Sequence, residues 1–396
     1  MNMNNFDKLY NLDNLYNAYV KAKQGTDWKE SVQRYEANLL LNLLSVRKEI
    51  ISGKYKPKPM VEFTLCERGH TRQIKAQNIY DRVVQRCLND NILIPKVRPK
   101  LIYDNGASLE GRGLDFARKR FGVHLQKAFR EFGSDAYVLM MDFTKYYDNV
   151  RHDKALSMFG NVLSDEELEF LKITFKEFEV DVSYMTDEEY EHCLDKVFSS
   201  VEYAKIPRES RLGRKFMAKS LGIGNQSAQI AGVFYPSSID NYCKIVRGIK
   251  YYGRYMDDTY IIMKDKNELQ RLLKEIENRC LKLGIFVNMK KTHIYKISGW
   301  LTWLKINYKL KNTGGIIRKI HSSSIRRERR RLKKFQKAWK QGSMNLASIK
   351  QCYHSWRGSY AKYDSTEKLR KIDKYFKELF KEEEKNVQGK VLRQKN

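Results

Sequence analysis

The six cysteines of this chain include no pair spaced for joint use. Cys66, Cys87, Cys193, Cys243, Cys280 and Cys352 stand singly, with no C-x-x-C among them. A disulfide framework or a zinc site needs grouped ligands, so reduced thiols in a cytoplasmic protein are the expectation. Long apolar runs are also missing. No stretch approaches the ~18–20 uncharged apolar residues of a membrane span. The opening MNMNNFDKLYNLDNLY has no basic segment leading into an apolar one, so no secretory leader is expected. No fixed-period repeat is visible, which argues against a solenoid.

Positive charge is what the chain has in excess. Lys and Arg number 76 against 47 acids, a formal net charge of +29, and 25 Tyr with 18 Phe offer stacking surfaces. This balance suits a phosphate backbone. A ribosome-like or merely cationic protein shares it, so charge names the partner class and not the chemistry. The distribution is uneven. Ser164 to Lys205 holds thirteen acids and four lysines; nucleic acid repels such a block, which is therefore expected on an outer surface away from the binding groove. SSSIRRERRRLKKFQKAWKQ, Ser322 to Gln341, reads as a basic helix with a Ser-rich start. Arg326, Arg327, Arg329, Arg330, Arg331, Lys333 and Lys334 are too dense for intrahelical ion pairs, with Glu328 the one acid among them. A solvated cationic helix is the plain alternative to a phosphate-contacting one. Residues 386–396 read as a disordered tail.

Two carboxylate blocks carry the chemistry. KYYGRYMDDTYIIM, Lys250 to Met263, reads as a hairpin with Asp257 and Asp258 at its tip. Aspartates are common in solvated turns, so the motif alone decides nothing. In DAYVLMMDFTKYYDNVRHDKAL, Asp135 to Leu156, the apolar run AYVLMMDF suits a buried strand and Asp142 closes it. A buried charge there is costly unless paired, although a helix-capping Asp is the ordinary alternative. Taken together, Asp142 and the Asp257–Asp258 pair, 115 residues on, can converge on two divalent cations that stabilise an in-line phosphoryl displacement. Mg²⁺ suits carboxylates and phosphates, and the chain offers no His/Cys alternative.

At these residues the sequence resembles a reverse transcriptase. YMDD in a hairpin, preceded by an Asp block with paired aromatics, is similar to that family's palm. TRQIKAQNIYDRVVQRCL (Thr71 to Leu88) and SLEGRGLDFARKRF (Ser108 to Phe121) resemble its two fingers motifs. LGIGNQSAQ (Leu221 to Gln229), LGIFVNMKKTHI (Leu283 to Ile294) and SGWLTWLK (Ser298 to Lys305) follow in the family's order. The last of these resembles the primer-grip hairpin. The resemblance implies an α+β right-hand polymerase, with an antiparallel palm sheet packed on helices and a C-terminal helical thumb. Its expected divisions are a helical extension (1–60), fingers (61–134), first palm segment (135–163), acidic insertion (164–205), second fingers/palm segment (206–310), thumb (311–385) and tail.

The resemblance also implies roles. Asp142, Asp257 and Asp258 are the expected catalytic metal ligands, with Phe143 lending a backbone carbonyl to two Mg²⁺ ions, for which Mn²⁺ is an acceptable substitute. Arg72 matches the triphosphate-binding arginine, Tyr147 the aromatic that blocks a ribose 2′-OH, and Tyr146 is left for core packing. Gly224 allows close backbone approach to the incoming base pair, Gln229 orients template or fingers, and Lys291 steers pyrophosphate or donates a proton. The expected partners are a structured template RNA, a DNA primer or cDNA product and dNTPs, with an accessory protein left open and no membrane. Retroviral-type enzymes carry Pro-Gln-Gly where this chain has Gly222–Ile223–Gly224. The form here is similar to diversity-generating retroelement and phage-defence enzymes, with Ala228 in place of Ser. An apolar Ile223 removes directional hydrogen bonds beside the nascent pair, which implies reduced fidelity. No second carboxylate cluster for a ribonuclease H domain and no HNH-type endonuclease pattern is seen. An RNA-dependent RNA polymerase and an inactive RNA-binding scaffold remain the other classes, as does a defence enzyme copying a dedicated non-coding RNA or making DNA without a template.

Overall fold

A computed structural model describes residues 5–67 and 70–381. The tail expected at 386–396 lies outside the described residues. The chain forms two compact units, one running to Ala117 and including Leu139–Ile294, the other comprising Arg118–Val138 and the chain from Tyr295 onward. The fold is α+β. Among the described residues, no helix is long and apolar enough to cross a membrane.

Local chemistry explains most element boundaries. In the first unit, Asn11 and Asn78 cap the helices Leu12–Lys23 and Ile79–Leu88 by accepting from the Asn14 and Asp81 N–H groups. The second of these buries Val83, Val84, Cys87 and Leu88. The acidic segment opens two helices on reciprocal capping boxes, Ser164 with Glu167 before Asp165–Lys176, and Thr186 with Glu189 before Asp187–Leu194. Such boxes satisfy two orphan N–H groups at once.

The strands, in chain order, are β1 (Val61–Glu67), β2 (His70–Ala76), β3 (Tyr137–Met141), β4 (Val180–Asp181), β5 (Phe216–Met217), β6 (Tyr251–Tyr255), β7 (Asp258–Met263), β8 (His293–Lys296), β9 (Leu301–Trp303), β10 (Ile306–Leu310) and β11 (Ile316–Ile320). Strands β1 and β2 form an antiparallel hairpin, as do the short β4 and β5. The central sheet has the order β6-β7-β3-β8. Tyr251, Tyr252, Tyr260, Ile261 and Ile262 are buried in consecutive positions, so β6 and β7 are covered on both faces. This explains their continuous apolar and aromatic composition.

In the second unit, β9–β11 form a sheet of order β11-β10-β9. Phe121, on the helix Leu114–Phe132, packs its ring against Trp303 and Tyr308 at centroid distances of 5.7 and 4.9 Å. Three helices, Ser322–Lys340, Leu346–Tyr360 and Thr366–Leu379, enclose Leu332, Ile349, Tyr353, Ile372 and Phe376. The basic stretch is the first of these. Arg326, Arg329, Arg330, Lys333 and Lys334 lie toward its open side, and Arg327 is half-buried. Arg331 is different: it donates to Glu328 Oε1 at 2.7 Å and to the Cys352 carbonyl at 3.2 Å. It ties two helices of the bundle together around the buried Glu328.

Candidate active site

Asp142 follows β3 directly and is 8% exposed. Its backbone carbonyl accepts from the Asn288 N–H at 2.8 Å, and the Thr144 N–H donates to the Phe286 carbonyl at 2.7 Å. This short pairing, centred on Phe143 and Val287, holds the end of β3 and brings up the loop that carries Lys291. The Lys291 ammonium donates to Asp142 Oδ2, whereas Asp142 Oδ1 is buried with no hydrogen-bond partner among the described residues.

Asp257 arrives from the neighbouring hairpin. Tyr255 pairs with Asp258 across β6 and β7, leaving Met256 and Asp257 as a two-residue turn. Met256 has φ +55°. The first central position of a turn with that conformation is normally glycine, and a side chain there costs about 1–2 kcal/mol. Backbone strain of this kind is held only where the surroundings over-determine it. The surroundings here are Arg254, which is fully buried. Its guanidinium grips Asp240 through bonds of 2.6–3.0 Å and also donates to the Val233 carbonyl at 2.8 Å and the Met256 carbonyl at 3.0 Å. Burial alone would lower the Arg254 pKa, but the Asp240 carboxylate beside it outweighs this and holds it above the usual arginine value.

The two carboxylates meet. Burial first, and then the adjacent Asp142 charge, raises the Asp257 pKa above the usual carboxylate value. Lys291 is raised in turn, mainly by its hydrogen bond to Asp142, and it feels the charges of both Asp257 and Asp258. Beside this cluster lies a cavity of about 490 Å³ lined by Arg72, Tyr147, Gly224, Gln229, Asp257 and Lys291, among others. Residues from five separated stretches of the sequence therefore share one wall. Phe143 is buried with its ring 5.5 Å from that of Tyr146, so its side chain packs in the core and does not line the cavity.

The aromatic pair divides its work. Tyr146 is buried and donates to the Gly232 carbonyl at 2.7 Å, while Tyr147 lines the cavity with its hydroxyl 3.9 Å from Met256 Sδ. Gly232 makes room for that ring: a Cβ there would lie 3.1 Å from the Tyr147 hydroxyl. Gly224, at φ +117°, follows a parallel pairing of Ile223 with Ile74, in which the Lys75 N–H donates to the Ile223 carbonyl at 3.0 Å. That pairing sets Gly224 and Ile223 beside the strand carrying Arg72.

Two features differ from what the sequence suggests. Arg254 stands inside the β6–β7 hairpin motif, and a lone cation in a doubly buried strand is the signal that a buried partner exists. The acidic segment is a correction. Its composition places it away from the groove, but Ser200 and Val201 line the cavity beside Asp257. The reason is that the segment is not uniform: Asp187 and Asp195 point into solvent, while Ser200 and Val201 reach the cavity and Glu202 beside them pairs with Lys145.

Among the described residues, no three His, Cys, Asp or Glu side chains form a closed metal cage. Mg²⁺ does not require one, since it keeps several waters and binds one or two carboxylates with substrate phosphates. The all-oxygen set, the partnerless Asp142 Oδ1 and the raised Asp257 fit a hard divalent cation.

A family model described as reverse transcriptase (RNA-dependent DNA polymerase) matches residues 56–327. A comparison with curated proteins finds no match. Among solved structures, the chain is similar to apo telomerase from Candida tropicalis at 16% identity and a TM-score of 0.39, over 66% of this chain and 48% of that one. It thus spans about half the length of the telomerase chain, and a likeness this distant bears no weight here.

Proposed function

Because the chain belongs to the reverse transcriptase family, we propose that it synthesises DNA on an RNA template by nucleotidyl transfer at the Asp142–Asp257 pair. One observation carries the reading: the buried Asp142 and the half-buried Asp257 carboxylates lie against each other beside a cavity that also holds Arg72 and Tyr147. An RNA-binding scaffold gains nothing from acids held near phosphate at a desolvation cost.

The residues divide the reaction as follows. Arg72 grips phosphate oxygens through its planar fork. Tyr147 closes the space beside the sugar and rejects a 2′-hydroxyl. Gly224 and Ile223 supply a backbone and apolar surface against the nascent pair, and Gln229 orients the strand or the β1–β2 hairpin. Lys291 neutralises Asp142 in the resting site and is placed to give a proton to departing pyrophosphate. When bound, two Mg²⁺ ions held by Asp142, Asp257 and Asp258 supply Lewis-acid stabilisation of the phosphoryl charge. We place the synthesis in a bacterial or phage retroelement. A phage-defence enzyme is the second reading, and the apolar Ile223 in the cavity wall supports both.

Primer extension on an RNA template with Mg²⁺ and dNTPs tests this. Wild-type protein should extend the primer. Asp257→Asn should lose extension while retaining RNA affinity, because affinity comes from the basic surface. Normal extension by Asp257→Asn would overturn the assignment.

A further inference from the structure

The turn after Asp142 is tied to the end of the acidic segment by three side chains. Asn149 is buried and exchanges two bonds with the Phe198 backbone, accepting at 2.8 Å and donating at 3.2 Å. Asp148 accepts from the Ser200 N–H at 3.1 Å and its hydroxyl at 2.7 Å. These two ties anchor residues 198–200, of which Ser200 lines the cavity. The third tie is of another kind. Lys145 pairs with Glu202 Oε1 at 2.9 Å, and the two side chains are 41% and 68% exposed. An ion pair this wet contributes little and exchanges partners readily.

Lys145 lines the same cavity as Arg72, Asp257 and Lys291. A nucleoside triphosphate carries several negative charges into a space whose wall already holds the carboxylates Asp148 and Asp257. Of the basic residues in that lining, Lys291 is committed to Asp142. Arg72 and Lys145 are the cations left to meet the phosphates. Lys145 has φ +44°, a conformation that an ordinary side chain adopts at a cost. A phosphate offers its ammonium more charge than a lone carboxylate does.

Building on the polymerase reading, we propose that Lys145 is a second triphosphate-binding residue and that Glu202, supplied by the acidic segment, is its resting partner. The incoming nucleotide displaces Glu202 from Lys145. Glu202 thereby weakens nucleotide binding and sets the concentration at which the site fills.

The sign of two substitutions tests this. Calorimetric titration of dGTP onto the full chain bound to primer–template should show Lys145→Ala raising Kd about tenfold, as for loss of one charge-assisted bond. Glu202→Gln should lower Kd severalfold, and that gain should vanish in the Lys145→Ala background. Lys145→Arg should keep most of the affinity, and deoxyguanosine, which lacks phosphate, should bind all variants alike. In steady-state extension, Lys145→Ala should raise KM more than it lowers kcat. If both single variants weaken dGTP equally, the pair is a structural tie and the proposal fails. Unchanged Kd in Lys145→Ala also overturns it while leaving polymerisation intact. A wild-type complex that extends no primer and binds no dGTP overturns the polymerase reading itself.

Discussion

Replacing Arg254 by Met removes the group that fixes the strained Met256–Asp257 turn, and the structure allows the cost to be worked out. The guanidinium makes bonds to Asp240 and to the Val233 and Met256 carbonyls, all within a region almost closed to water. The variant leaves the Asp240 carboxylate buried with its charge uncompensated, an effect of about 3–5 kcal/mol. For a unit of this size that corresponds to a Tm lower by roughly 5–9 °C. Adding Asp240→Asn removes the orphaned charge and keeps an acceptor for the Tyr252 hydroxyl, which bonds Asp240 in the native protein. Most of the Tm should then return, since replacing both partners of a buried pair is often near neutral. Primer extension should not return, because the Met256 carbonyl still lacks its donor and the Asp257 turn is loose. The assay is therefore a pair of measurements on three proteins: thermal unfolding and extension rate. A double variant as unstable as Arg254→Met would show that charge pairing is not the source of the loss. A double variant with full extension would show that Arg254 does not hold the turn.

Tyr147→Ala should admit ribonucleotides in a primer-extension assay, and Gly232→Ala, whose Cβ would press on the same ring, should alter the ratio of rNTP to dNTP incorporation; unchanged discrimination in both would move sugar selection elsewhere. His152 is buried with Nε2 2.6 Å from the Ser220 carbonyl, and burial pushes its pKa down from 6.5 to about 4. The unfolded chain therefore binds the proton first as pH falls, so this residue lowers stability between about pH 6.5 and 4. His152→Gln should flatten the fall in Tm over that window, and an equal fall in both proteins would contradict the assignment. On the basic helix, Arg326, Arg329, Arg330 and Lys333 changed together to Gln should weaken RNA binding and flatten its salt dependence in proportion to the phosphates these residues neutralise. Arg331→Gln should instead lower Tm, since it strands the buried Glu328; an unchanged salt slope in the fourfold variant would place the helix off the nucleic acid.

Features that depend on near neighbours are legible in the residue pattern. Alternating or continuous apolar runs and a polar pair locate the β6–β7 hairpin, a Ser-rich stretch opens the basic helix, and Asp142 closes a strand because the apolar run ends there. These signals work over two to four residues, the span of a turn or a cap. Every feature whose partner lies far along the chain depends on folding. Arg254 in the motif gives no hint that Asp240 is its counter-ion. Tyr146 and Tyr147 are chemically alike, and only the position of Gly232 assigns one to the core and the other to the cavity. Arg331 sits in a run of equivalent cations until a neighbouring helix offers the Cys352 carbonyl. The acidic segment misleads for the same reason. Its composition averages over side chains, whereas folding turns Asp187 and Asp195 to water and delivers Ser200 and Val201 to the cavity. Net charge is a property of a stretch, but which residues of that stretch face a site is set by the packing of elements that meet only in three dimensions.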